Sequence, residues 1–82
     1  MNSFHYVYIL ESKLHPGEIY TGMTENLKRR LSEHNAGKVF HTSKFKPWKI
    51  RSATAFPDRP RAAAFEHYLK SGSGRAFLNR HL

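Results

Sequence analysis

The chain predicts a small α+β domain: a three-stranded, mainly antiparallel sheet flanked by helices in the order β-β-α-β-α, with a short helix added at the end. Three observations point there. Residues 4–11, FHYVYILE, are largely apolar on both alternating faces, as in a central strand covered on each side. The apolar period then shifts from two to about 3.6 between residues 24 and 35. The length of 82 residues suits one domain, 1–82, and leaves no room for a second.

Each element has its local reason. After the first strand, SKLHPGE supplies Pro16 and Gly17, the fixed and the permissive backbone of a tight turn, so residues 18–23 return as the second strand of a hairpin. Thr24 or Asn26 can cap a helix running to about Asn35, and Gly37 sits where a left-handed C-terminal stop belongs. Leu27, Leu31 and His34 share one face of that helix, with Arg30 at its edge. A third strand spans about Trp48 to Phe56, and the preceding Pro47 with Lys49 and Arg51 marks it as a solvent-facing edge. Asp58 caps a second helix that tolerates Pro60 in its first turn and runs through RAAAFEHYLK to about Ser71. SGSG reads as its stop, and a short terminal helix covers about Arg75 to His81.

Charge narrows the class of partner. Lys and Arg number 14 against 6 Asp and Glu, a formal net charge of +8. From His34 to Pro57 there is no acid, while Lys38, His41, Lys44, Lys46 and Arg51 line one loop and strand, a positive field suited to phosphates. A polyanionic partner such as nucleic acid is expected; no protein partner can be deduced. The chain has no cysteine, so disulfides and thiolate metal sites are excluded. No basic, long-apolar leader and no membrane-length apolar run is visible, and a cytoplasmic, non-membrane protein is expected. SGSGR lacks the Gly-Lys-Ser/Thr ending of a phosphate loop, and His34 and His41 match no zinc spacing. Trp48, at the head of a strand, reads as core.

Polar side chains on apolar faces carry more information. In the second helix Ala62, Phe65, Glu66 and Leu69 fall at i, i+3, i+4 and i+7, which places a carboxylate in the stripe that should face the sheet. Arg30 and His34 pose the matching problem one turn apart on the first helix. A partly buried Arg30–Glu66 salt bridge would account for both without any chemistry. Tyr8 and Tyr20, taken singly, are ordinary strand tyrosines.

Taken together these residues resemble the GIY-YIG nuclease superfamily. YVY at 6–8, eleven intervening residues and YTG at 20–22 look like its two paired motifs. Arg30, ten residues beyond Tyr20, falls where that family carries its catalytic arginine, and His34 matches a histidine of several members. Glu66 is similar in position to the metal-binding glutamate. The likeness runs over about residues 4–72 and is strongest to the small stand-alone bacterial proteins of this type. Tyr6 replaces the first motif's glycine and Thr21 the second motif's isoleucine, while the signature tyrosines stay. Asn79 is no secure counterpart of the late asparagine.

The resemblance implies a divalent-metal-dependent endonuclease that hydrolyses phosphodiesters in DNA, structure-selective and serving repair or recombination. Glu66 would hold one Mg²⁺ (or Mn²⁺) mostly through waters, and the dispersal of the other acids argues against a two-metal site. Arg30 offers a planar fork of donors to phosphate oxygens. Tyr8 and Tyr20 would flank the reactive water, one of them as base if Arg30 and the ion favour its phenolate. His34 either relays a proton or only packs. The alternative is a nucleic-acid-binding module with little or no catalysis.

Overall fold

Alternation along the first strand decides the architecture. In the computed structural model, which describes residues 3–82, that strand is β1 (His5–Ser12), and Val7, Tyr8, Ile9 and Leu10 are all buried. Val7 and Ile9 enter one apolar cluster, while Tyr8 and Leu10 enter another. Such a strand needs a covering layer on both faces and a neighbour on both edges, and it has them. β2 (Ile19–Thr24) and β3 (Trp48–Phe56) flank it antiparallel, in the order β2-β1-β3. The sheet is thus fully antiparallel, and β3 is an edge strand, as Lys49 and Arg51 suggested.

Helix α1 (Leu27–Asn35) and a short 3-10 helix (Phe40–Phe45) cover the face of Tyr8 and Leu10, adding Leu27, Leu31, Phe45 and the buried Trp48. The opposite face is closed by α2 (Arg59–Leu69) and α3 (Gly72–His81), whose Ala62, Leu69 and Leu78 pack on Val7 and Ile9. Among the described residues no helix is long and apolar enough to cross a membrane.

Local rules explain where the elements stop. Of the two possible caps of α1 the chain uses Asn26, whose side chain accepts from the Arg29 amide at 3.0 Å. At the other end Gly37 has φ +77°; its amide bonds the His34 carbonyl and the Lys38 amide bonds the Glu33 carbonyl, the paired closure that a left-handed residue permits. Residues 40–45, read from sequence as plain loop, tighten into the 3-10 helix because Ser12 Oγ donates to the Phe45 carbonyl at 2.7 Å and Trp48 Nε1 to the Thr42 carbonyl at 2.9 Å. The Asn35 side chain extends the ladder of β3, accepting from the Trp48 amide at 2.5 Å and donating to its carbonyl at 3.1 Å.

SGSG corrects the sequence reading. Helix α2 ends at Leu69, and Ser71 is the N-cap of α3, accepting from the Gly74 amide at 3.1 Å; the last helix therefore begins at Gly72 rather than near Arg75. Gly74 is demanded by packing, since a Cβ there would collide with the Tyr68 carbonyl, whereas one at Gly72 would meet nothing. A glycine-rich stretch near a helix end was assigned to stopping one helix, when its serine starts the next.

This contrast is testable by urea unfolding. Gly74→Ala should destabilise the fold by about 1–3 kcal/mol, as overpacking does. Gly72→Ala should be neutral or stabilise by up to about 1 kcal/mol through helix propensity. Equal effects would show that the α2–α3 corner does not constrain the chain as described.

Candidate active site

The site grows from the pairing register of β1. Tyr8 stands opposite Gly22 on β2 and Ala53 on β3, the two small neighbours that leave a pleat wide enough for a phenol. At Gly22 the tolerance is nil: a Cβ would lie 2.5 Å from Tyr8 Oη and 2.9 Å from Tyr20 Cε2. The glycine of the YTG stretch is thus a spatial requirement of the two tyrosines.

Below the phenol lies His34, the only residue of α1 that is fully buried. Tyr8 Oη and His34 Nε2 are 3.0 Å apart, and His34 Nδ1 is 2.7 Å from Thr42 Oγ1. The proton positions follow from what each group must satisfy. Thr42 donates its hydroxyl to the Val39 carbonyl at 3.3 Å, so its oxygen accepts from Nδ1–H of the imidazole. Nε2 is then unprotonated and accepts the Tyr8 hydroxyl. Arg30 closes the chain from the open side, its Nε donating to Tyr8 Oη at 3.4 Å. Among the described residues no buried side-chain nitrogen or oxygen lacks a partner.

Electrostatics agree with that assignment. Burial, followed by the nearby Arg30 charge, pushes the His34 pKa down, which keeps the ring neutral. Burial also raises the Tyr8 phenol above its ordinary value and outweighs the Arg30 hydrogen bond. Arg30 by itself therefore does not bias this tyrosine toward the phenolate, because desolvation outweighs its hydrogen bond. Arg30 is held firmly protonated by Glu33, whose Oε1 accepts from Nη1 at 2.9 Å, and Glu33 is in turn held below the usual carboxylate range by Arg30.

The other expected residues divide. Tyr20 is half-buried, its ring centre 5.0 Å from that of His34 and 6.2 Å from that of Tyr8, so it joins the cluster. Glu66 is half-buried rather than deep in the stripe and pairs with Lys70 at 3.3 Å; the Arg30–Glu66 bridge does not form. Its charge still reaches the Tyr8 phenol and contributes to the raised pKa. Lys38, His41, Lys44 and Lys46 are exposed on the loop around the 3-10 helix, beside the site. Arg51 is not with them. It is the residue skipped where the β1–β3 register shifts, and its Nε donates to the Leu82 carbonyl at 3.1 Å, so the bulge turns it to the end of α3. Trp48 is core, 3% exposed.

Two members were missed. Thr42 lies in the basic loop beside His41, yet it is buried against His34; only the three-residue repeat of a 3-10 helix, which no sequence pattern announced, turns it inward. Glu33 was legible, lying three residues after Arg30 on a helix.

Two measurements check this geometry. Between the ordinary histidine pKa near 6.5 and the lower folded value of His34, the unfolded chain binds more protons, so stability rises with pH there and falls on acidification. The melting temperature should drop from about pH 7 to about pH 5, less steeply in His34→Gln; an identical slope would refute the buried neutral imidazole. Gly22→Ala should cost about 1–3 kcal/mol, and less when Tyr8→Phe removes the crowded hydroxyl, since contacting sites are not additive.

Comparison with known proteins gives the same picture. The profile of the GIY-YIG catalytic domain matches residues 4–79. A UPF0213 protein of Haloquadratum walsbyi is 39% identical over 72 residues, covering 87% of this chain and 79% of that one. The structure-specific endonuclease subunit SLX1 of Scheffersomyces stipitis is 38% identical over 72 residues, which are 79% of this chain and 21% of that longer protein. The solution structure of a UPF0213 protein from Bacillus halodurans superposes with a TM-score of 0.56 at 35% identity, covering 94% of this chain and 83% of the other. A chain that pairs Tyr8 with Gly22 across one register, sets Arg30 and His34 beneath them and matches this profile over nearly its whole length belongs to the GIY-YIG nuclease family.

Proposed function

We propose that the protein is a divalent-metal-dependent endonuclease that hydrolyses phosphodiester bonds in DNA, with a preference for branched or otherwise irregular structures and a place in repair or recombination. The observation that carries the reading is the chain Arg30–Tyr8–His34–Thr42. Its likeness to structure-specific endonuclease subunits supports the substrate class.

The hydrogen-bond order solves the problem of a phenol whose pKa is raised. Tyr8 need not exist as a free phenolate: as its oxygen takes a proton from the attacking water, its own proton passes to His34 Nε2, which is neutral and already aligned. Thr42 accepts from Nδ1 and holds the tautomer that makes Nε2 the acceptor. Tyr20 flanks the same water. Arg30, fixed by Glu33, presents its guanidinium to phosphate oxygens as negative charge builds.

One ion fits the residues present. Among the described residues no three of His, Asp and Glu converge on a metal position, so the donor set is the single carboxylate of Glu66. A lone hard oxygen ligand suits Mg²⁺, or Mn²⁺ in its place, because Mg²⁺ keeps most of its own waters. When bound, the ion supplies Lewis-acid stabilisation of charge on the phosphate and departing oxygen. Glu66 would exchange its Lys70 partner for it.

The test is incubation of purified protein with single-stranded, duplex and branched DNA, with Mg²⁺ or with chelator. Cleavage should require the ion and fall at least about 100-fold in Tyr8→Phe, Arg30→Ala and Glu66→Ala. Absence of cleavage throughout, or cleavage unchanged in all three variants, would sink the catalytic reading. Salt-sensitive binding without cutting would favour a nucleic-acid-binding module instead.

A further inference from the structure

The 3-10 helix repeats every three residues, so its side chains fall into three faces. Thr42 and Phe45 point inward, Thr42 onto His34 and Phe45 into the core beside Trp48. His41 and Lys44 share a second face and are exposed. Phe40 and Ser43 share the third, and the Phe40 ring is 86% exposed, the most exposed large apolar side chain among the described residues. Its aromatic neighbour is His41, in a T-shaped arrangement with ring centres 5.6 Å apart.

An apolar ring left in water on a fixed element differs from one on a waving loop. Three hydrogen bonds pin this helix: Thr42 to His34 at 2.7 Å, the Trp48 indole to the Thr42 carbonyl at 2.9 Å and Ser12 to the Phe45 carbonyl at 2.7 Å. Phe40 therefore stands two residues from a side chain bonded to the reactive relay. Lys38, Lys44 and Lys46, all exposed, flank it along the chain, in the stretch from His34 to Pro57 that holds no acid. An exposed apolar ring flanked along the chain by cations complements a nucleobase with its adjacent phosphates. An apolar protein surface would gain nothing from the three lysines.

We propose that Phe40 is a stacking platform for an unpaired nucleobase of the substrate, with Lys38, Lys44 and Lys46 holding the adjacent phosphates. The inference rests on the nucleic-acid reading above and deepens it: the preferred substrate has an unstacked or single-stranded base next to the site of reaction. Trp48, the other aromatic weighed for such a role, is buried.

The experiment is binding by fluorescence anisotropy in chelator, at one fixed salt concentration, to a short single strand, to its duplex and to the same strand with one abasic position. Phe40→Ala should weaken single-strand binding about tenfold or more, with little change for the duplex and an unchanged melting temperature. Phe40→Trp should restore the affinity, and Lys44→Ala should weaken all three ligands alike. If Phe40→Ala binds as wild type, or loses single strand and duplex equally, the stacking platform falls while the nuclease reading stands. If the wild-type protein binds none of the three, both fall.

Discussion

A fully buried, neutral imidazole is the constraint on which the rest of this structure depends. His34 has two ring nitrogens and no water, so each must find a protein partner or carry a desolvation cost. It finds them on two elements far apart in sequence, Tyr8 on β1 and Thr42 on the 3-10 helix, and thereby joins both to α1. One side chain sets the depth of α1 on the sheet, the inward turn of residues 40–45 and the orientation of the phenol.

That constraint also separates the two faces of the sheet. The face carrying α2 and α3 is packed by aliphatic and aromatic side chains and supplies most of the apolar burial. The other face mixes Leu10, Leu27, Leu31 and Trp48 with the polar chain, so burial there serves a second purpose. It raises the Tyr8 phenol and lowers the His34 imidazole, keeping both neutral and the single proton between them well placed. Small residues at 22 and 53 are the steric counterpart, because a buried phenol on a central strand needs room from both neighbours. Most of the aliphatic packing and the hydrogen-bonded polar chain thus lie on opposite sides of one strand.

Much of this was legible because it is local. The two-sided apolar run of β1, the Pro16-Gly17 turn, the Asp58 cap and the Gly37 stop each depend on a few adjacent residues, and each appears where the pattern placed it. The gathering of Tyr8, Tyr20, Arg30 and His34 was legible for a different reason: their spacing resembles the paired motifs of a known family. What failed was the choice of partner where more than one was within reach. Ser71 was read as ending a helix, but its hydroxyl caps the next one. Arg51 was read as phosphate-facing, but a bulge in β3 turns it to the Leu82 carbonyl. Glu66 and Arg30 were weighed as a pair, and each took a closer partner on its own helix.

By itself, then, the sequence determined the element order, the sheet's central strand and the positive loop, since periodicity, turn chemistry and net charge are properties of neighbours along the chain. Only the tertiary structure decided the direction of the proton chain, the neutrality of its members and the inward turn of Thr42 against the outward turn of Phe40. Those outcomes follow from burial and from hydrogen-bond partners 26 residues apart, as Tyr8 and His34, or 33 apart, as Ser12 and Phe45. Desolvation has no signature in a string of letters, because it depends on what the folded chain lays over each group.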